Sequence, residues 1–263
     1  MIDVHCHLHD EKFNQDLDQV IRRAKDAGVA KIIISTVDFE EIQKACRIVQ
    51  TYKDYVELTV GCSPTLFDET EIERIREFIK NNRDKIIGIG EVGLDYYWVE
   101  GEQRATQRKL FKEWIAMAKE MNLPLIVHSR SAGKYAIEIL LENPPQRVLM
   151  HAFDGKKGWA KKGEEAGFYF TIPTTVVHSI QKQNLVEFLK IESLMLETDS
   201  PVLAPVRGER NEPANLKYAL ETVSSLKNLT EEEIAKIIAA TTTNFFNIPA
   251  QYSDRHLLHP NQL

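Results

Sequence analysis

The sequence predicts a single-domain α/β protein, a (β/α)8 barrel of the TIM type, and three observations carry that expectation. Eight short β-branched or apolar runs alternate with stretches of helical period, the pattern of a parallel sheet covered by helices. Eight strands are what closes such a barrel, and 263 residues match its usual size of about 250. The competing doubly wound sheet would carry a glycine-rich phosphate turn after an early strand, and the chain has none.

Taken in order, the strands are "IDVHCHL", "AKIIISTV", "VELTVGC", "IIGIGEVGL", "PLIVHSR", "RVLMHAF", "GFYFTIP" and "SLMLETDSP". Between the first two, Leu17, Val20, Ile21 and Ala24 fall at helical spacing ahead of Gly28, a C-terminal stop. Ile72, Ile75, Phe78 and Ile79 repeat the pattern before the fourth strand, and Leu110, Phe111, Trp114, Ile115 and Ala118 before the fifth. Residues 132–142 and 214–226 also read as helices. The barrel is expected to occupy residues 1–249, and the polar, irregular stretch 250–263 reads as a C-terminal tail.

Composition narrows the functional classes. The chain is 43% hydrophobic and 27% charged, as soluble globular proteins are. Cys6, Cys46 and Cys62 form no even set and no CxxC pair, which points to a reducing compartment. No basic-then-apolar leader opens the chain and no apolar run reaches spanning length, so a cytoplasmic protein without a membrane is expected. The net charge of -6 argues against a long basic footprint on duplex nucleic acid, where affinity comes from neutralising phosphates. A polyanion would be held at a few points or through bound cations. No organic cofactor is expected, and the chain is read as a monomer or weak oligomer.

The chemistry begins with His5 and His7. Residues two apart in a strand share a face, so both point inward at the barrel mouth, and imidazole is the commonest metal ligand. An HxH pair alone says little. However, Glu91 follows "IIGIG", His128 follows "PLIV", His151 follows "RVLM" and Asp199 follows "LMLET". In a barrel, all six converge on the C-terminal mouth, where active sites of this fold sit. A buried ionisable group without a partner costs several kcal/mol, so six at strand ends point to one shared site. Such a set holds two divalent ions about 3.5–4 Å apart around a bridging carboxylate, for which Glu91 is the natural candidate. Mixed nitrogen and oxygen donors suit Zn, Mn, Co or Mg. Glu197 shares a strand face with Asp199 and reads as a residue behind the ligands. Cys6 alternates outward toward the helices. His9 reads as solvated, His178 as the start of a helix, and His256 and His259 as part of the tail. Lys156, Lys157, Lys161 and Lys162 read as a solvated helix face.

With these motifs in view, the chain resembles the TatD-type metal-dependent deoxyribonucleases of the amidohydrolase-like barrel superfamily. The resemblance rests on "DVHCHL", "GEVGLDYY", "PLIVHSR", "MHAFDG", "ETDSPVLAP", "RNEPANL" and "TTTNFFNI", in the family order over nearly all of residues 1–249. It implies that His5, His7, Glu91 and Asp199 surround one metal while Glu91, His128 and His151 hold the other. It also implies that Asp199 orients and deprotonates the attacking water, and that DNA is the substrate. The acidic composition favours strand ends or short single strands, hence an exonuclease. Related barrels that hydrolyse cyclic amides often bridge their metals with a carbamylated lysine on the fourth strand, where this chain has Glu91. One departure stands out: the family's G-x-H-P-H after the third strand reads here Gly61, Cys62, Ser63, Pro64, Thr65. That turn is taken to face the substrate, with Ser63 as a contact. Arg130 is expected either to clamp a phosphate in a guanidinium fork or to close a salt bridge at the rim. For Arg210 and Asn211 the resemblance implies substrate contact, whereas loop composition alone would make them a surface turn. Two other functions remain open on this scaffold: a metallohydrolase of small amides, esters or phosphoesters, and a catalytically silent binding barrel.

Overall fold

The structure, a computed structural model, describes residues 1–248. Eight parallel strands, β1 (Ile2–Cys6), β2 (Lys31–Thr36), β3 (Val56–Val60), β4 (Gly88–Gly93), β5 (Leu125–His128), β6 (Val148–Met150), β7 (Tyr169–Pro173) and β8 (Leu194–Glu197), pair in sequence order. The ring closes because the Asp199 N–H donates to the His5 carbonyl at 2.9 Å and the His7 N–H to the Ser200 carbonyl at 2.7 Å. The expected barrel is therefore present, and every apolar run singled out in the sequence forms a strand. The expected tail lies outside the described residues, as do His256 and His259. Among the described residues no helix is long and apolar enough to cross a membrane.

The helices are α1 (Leu17–Asp26), α2 (Phe39–Thr51), α3 (Glu69–Asn81), α4 (Gln103–Met121), α5 (Gly133–Glu142), α6 (Lys157–Glu165), α7 (Ile180–Phe188), α8 (Leu216–Lys227) and α9 (Glu231–Phe246). Several start where a short side chain satisfies a free backbone N–H. Asp38 accepts from the Glu41 N–H at 2.8 Å and Asp68 from the Glu71 N–H at 2.9 Å. Thr230 and Glu233 form a reciprocal capping box at α9. His178 does not begin a helix. It ends the 3-10 turn Thr174–Val177, and α7 starts beyond Ser179, whose hydroxyl caps it.

Two apolar layers hold the barrel. The larger lies between strands and helices, with Ile32, Leu125, Val148 and Phe170 meeting Ile21, Phe111, Ile137 and Leu185. The smaller fills the barrel interior with Ile2, Val4, Ile33, Ile126, Leu149 and Met195, and Phe245, Phe246 and Ile248 stopper it from the end of α9.

Strict alternation cannot put Val4 and His5 both inside the barrel, yet the fold does so. Along β1 the register runs from Asp3 opposite Ile32 to Cys6 opposite Ile34, three steps against two. The extra residue is a β-bulge, a device that re-aims side chains. It leaves Val4 in the interior layer, turns His5 to the mouth and sends Cys6 outward among the helix contacts. A second bulge lies in β4, where Ile89 faces Leu125 and Val92 faces Val127, and it delivers Glu91. Two glycines make room beside these ligands. A Cβ on Gly61 would sit 2.2 Å from the Glu91 carbonyl oxygen, and one on Gly93 would sit 2.1 Å from that of His128.

Candidate metal centre

The six residues at the strand ends meet at the C-terminal mouth. His5 Nε2 lies 2.9 Å from Glu91 Oε2 and 3.7 Å from Asp199 Oδ1. His7 Nε2 lies 3.2 Å from Asp199 Oδ1 and 3.8 Å from Glu91 Oε2. His128 Nδ1 stands 2.7 Å from Glu91 Oε1, and His151 Nε2 is 4.0 Å from Asp199 Oδ2. The rings of His5 and His151 stack with centroids 3.6 Å apart. Donor atoms cluster within 4.8 Å of one another in His5–His7–Glu91, in Glu91–His128–His151 and in His5–His151–Asp199.

The donor set fits a divalent cation. His5 is fully buried, yet neither ring nitrogen has a hydrogen-bond partner. Its Nε2 approaches Glu91 without hydrogen-bond alignment, as ligands aimed at a common centre do. A buried polar atom left unpaired is costly, and a cation between these atoms removes the cost. Burial lowers the pKa of His5 and keeps it in the neutral form that ligates metals. Burial alone would raise Glu91, but His128, His151 and His5 hold its carboxyl well below the usual range. Asp199 is likewise held down against burial by His151, His7 and His5. Burial disfavours charge on His128, but Asp95 and Glu91 flank its two nitrogens and lift it to about 10. Metal binding displaces protons of this kind.

Behind the ligands stand carboxylates that orient them. Asp95 Oδ2 meets His128 Nε2 at 3.0 Å, leaving Nδ1 to face Glu91. Glu197, completely buried, meets His151 Nδ1 at 2.8 Å and accepts from the Ala152 N–H at 3.0 Å. Asp3 accepts from the Thr198 N–H and hydroxyl at 2.9 and 2.6 Å and so pins the residue before Asp199. Asp95 escaped the sequence reading although it lies in "GEVGLDYY", because no spacing rule says that it folds back onto His128. His9 is a correction. It is 5% exposed rather than solvated, with Nε2 3.1 Å from Glu41 Oε2, because the first turn of α2 brings a carboxylate over it.

A cleft of about 450 Å³ opens beside the cluster, lined by His128, His151 and Asp199 together with Arg130, Lys182 and Leu203. Lys182, on α7, donates to the Ala152 and Phe153 carbonyls at 2.9 and 2.7 Å, and burial lowers it to about 8. No local pattern marked this lysine. Ser131, Ala152, Asp199 and Leu203 around the mouth adopt φ of 54°, 36°, 55° and 51°, left-handed conformations uncommon for non-glycine residues and often found where a site stores strain.

Of the expected substrate contacts, Arg130 lines the cleft and three others do not. The Ser63 hydroxyl pairs with that of Thr65 at 2.8 Å and accepts the Thr65 N–H at 3.2 Å, closing its own turn. Arg210 donates to both oxygens of Asp16 at 2.8 and 2.7 Å and covers the Phe13 ring. Asn211 is completely buried and spends its amide on Thr174 Oγ1 and the Thr198 and Val202 carbonyls. It therefore braces the loop behind the cleft wall. The lysine cluster is partly paired: Lys161 contacts Glu164 at 2.5 Å and Lys162 lies over Trp159.

Comparison with known proteins agrees with this geometry. Residues 2–247 match the family model described as TatD related DNase. The chain is 37% identical over 270 residues to "Deoxyribonuclease TATDN3" of Homo sapiens, covering 98% of this chain and 97% of that protein. It is 35% identical to "Uncharacterized metal-dependent hydrolase YabD" of Bacillus subtilis, covering 94% and 99%. The crystal structure of the TatD homologue YjjV from Escherichia coli superposes with a TM-score of 0.87 at 25% identity, covering 95% of this chain and 98% of that one. On a family match over residues 2–247 and a barrel mouth built as described, the chain belongs to the TatD-related DNase family.

Proposed function

We propose that this protein is a divalent-metal-dependent hydrolase that cleaves phosphodiester bonds in DNA, working from strand ends or on short single strands. The observation that carries the reading is the double use of Glu91. Its Oε2 faces His5 and His7 while its Oε1 faces His128. One carboxylate between two donor sets is what a pair of ions sharing a ligand requires. His5, His7, Glu91 and Asp199 would hold one ion and Glu91, His128 and His151 the other, with Mg, Mn, Co and Zn all compatible with the donors. Bound there, the ions supply Lewis-acid neutralisation of phosphoryl charge and a more acidic water.

The chain's own groups do the rest. Asp199, kept ionised by its histidines, would orient the attacking water and accept its proton, the work of a general base. Asp95 and Glu197 hold His128 and His151 in fixed orientation. Arg130, exposed at the cleft, offers the planar fork that matches phosphate oxygens. Lys182 adds a second cation to the cleft lining. The relatives named deoxyribonuclease support DNA as substrate, and the net charge of -6 supports a short footprint. The three cysteines are unpaired, which supports a reducing compartment such as the cytoplasm.

A second reading, hydrolysis of small esters, amides or phosphoesters, draws on the modest cleft with its Val202 and Leu203 wall and on the missing histidines at 61–65. Assays of the purified protein with Mg, Mn, Co and Zn in turn, against single-stranded DNA and a small-substrate panel, separate the two. Turnover on DNA that chelator abolishes, with circular dichroism unchanged, is the expected result. Activity confined to small uncharged substrates would replace the DNA reading, and loss of fold with the metal would make the site structural.

A further inference from the structure

The loop after β4 carries two large rings that the metal centre does not use. Tyr97 is 55% and Trp98 66% exposed, although a Tyr or Trp normally covers its apolar body. They meet edge to face with centroids 4.8 Å apart. The Arg130 guanidinium lies 3.9 Å over the Tyr97 ring and 5.8 Å from the Trp98 ring.

The loop is braced rather than loose. Asp95 Oδ1 accepts the Tyr97 and Trp98 N–H groups at 2.9 and 3.0 Å. Arg104 donates to the Val99 and Tyr96 carbonyls at 2.8 and 3.1 Å. The Tyr96 N–H donates to the Arg130 carbonyl at 2.9 Å. The same Asp95 carboxylate holds the metal-side histidine His128 through its other oxygen. One carboxylate therefore ties the ring pair to the metal centre, and Arg130 stands between the rings and the cleft.

We propose that Trp98, backed by Tyr97 and Arg130, is a stacking platform for an unpaired nucleobase next to the phosphate bound in the cleft. Tyr97 already has one face taken by Arg130, so Trp98 offers the open ring. Aromatic faces accept any base, and a guanidinium over a neighbouring ring adds to both stacking and charge. With a phosphate on Arg130, the flanking base lies over Trp98. This requires a base free of its duplex partner, so the platform selects single strands or frayed ends and does so without reading sequence. The inference rests on the phosphodiesterase reading and deepens it by naming what the strand contacts outside the metal centre.

The test uses the metal-loaded, full-length protein. Trp98→Ala should raise KM for oligothymidylate about tenfold or more, the range expected for losing one stacked base, while kcat changes less than about twofold. Trp98→Phe, which keeps a ring, should recover most of the loss. In parallel, a hydrolysis-resistant phosphorothioate oligothymidylate should quench tryptophan fluorescence in the wild-type protein but not in Trp98→Phe. An unchanged KM in Trp98→Ala, an equal loss in Ala and Phe variants, or a quench that survives Trp98→Phe would each overturn the platform. Absence of any quench would do the same and leave the ring pair to a protein contact. A wild-type protein that shows the Trp98-dependent quench but hydrolyses no DNA with any metal would instead overturn the phosphodiesterase reading, leaving the stacking contact standing.

Discussion

The two ends of this barrel are built from the same eight strands and obey different rules. At the N-terminal end, Ile2, Val4, Ile33, Ile126, Leu149 and Met195 fill the interior, and Phe245, Phe246 and Ile248 close it. Charge enters there as a structural pair, Lys31 at the start of β2 with Glu57 of β3 at 2.6 Å. At the C-terminal end, four imidazoles and the carboxylates of Glu91, Glu197 and Asp199 crowd within hydrogen-bond and ligand distances of one another. Bulges interrupt the two strands that deliver His5 and Glu91, and residues such as Ala152 and Asp199 take left-handed backbone conformations. Side chains at the first end are interchangeable within limits of volume. Those at the second end are specified atom by atom, because each buried polar group needs its own partner. The barrel thus separates stability from chemistry along its axis, and the local rules fail at the end that carries function.

The sharpest way to break this division is to remove a group from the mouth and look for any loss of stability. Asp199→Asn should lower turnover by about 10²–10⁴-fold, the contribution of a general base, while the variant keeps at least one metal ion and melts no lower than the parent. Metal analysis, kinetics and a thermal melt check it together. Near-normal turnover in an Asn variant saturated with metal would take Asp199 out of that role.

The opposite experiment cuts the floor. Phe245→Ala should cost about 3–5 kcal/mol of unfolding free energy, the usual loss for a buried phenylalanine, and leave turnover per folded molecule unchanged. Denaturant titration beside active-site-normalised rates measures it. A comparable loss of turnover would show that the two ends are coupled.

A smaller change probes the groups that orient the ligands at the mouth. Asp95→Asn should weaken metal binding about 10–100-fold, as loss of an orienting carboxylate behind a ligand histidine does, with the effect read by metal titration. Unchanged affinity would mean that His128 keeps its orientation from Glu91 alone.

The smallest effect is expected at the rim. The hydrogen bond from Arg210, with help from Arg23, holds the Asp16 carboxyl down to about 2. A carboxylate depressed in the folded state stabilises it above the unfolded pKa near 3.9, and that contribution disappears as pH falls from about 4 to 2. Solvent screening limits it to under about 1 kcal/mol. Asp16→Asn should therefore flatten the acid limb of a stability profile slightly and leave pH 7 turnover unchanged. A large fall in turnover would restore Arg210 to the substrate.

What the sequence by itself determined was the strand runs, the barrel they imply and the six ligand-type residues at their ends. Helical and strand periods are local, and a buried His or Glu at the end of an apolar run is conspicuous because burial without a partner is costly. Helix α2 was not singled out and α9 was recognised only through its motif. Tertiary structure alone decided the rest. The bulges that bring His5 and Glu91 inward exist only as a register between neighbouring strands. Asp95 and Glu197 reach their histidines across 33 and 46 residues of chain. Arg210 and Asn211, substrate contacts by resemblance, went to Asp16 and to the Thr198 and Val202 carbonyls instead. His9 found Glu41. A polar side chain satisfies whichever partner the fold brings within about 3 Å, and that proximity is a property of the closed barrel, not of the residue's neighbours in sequence.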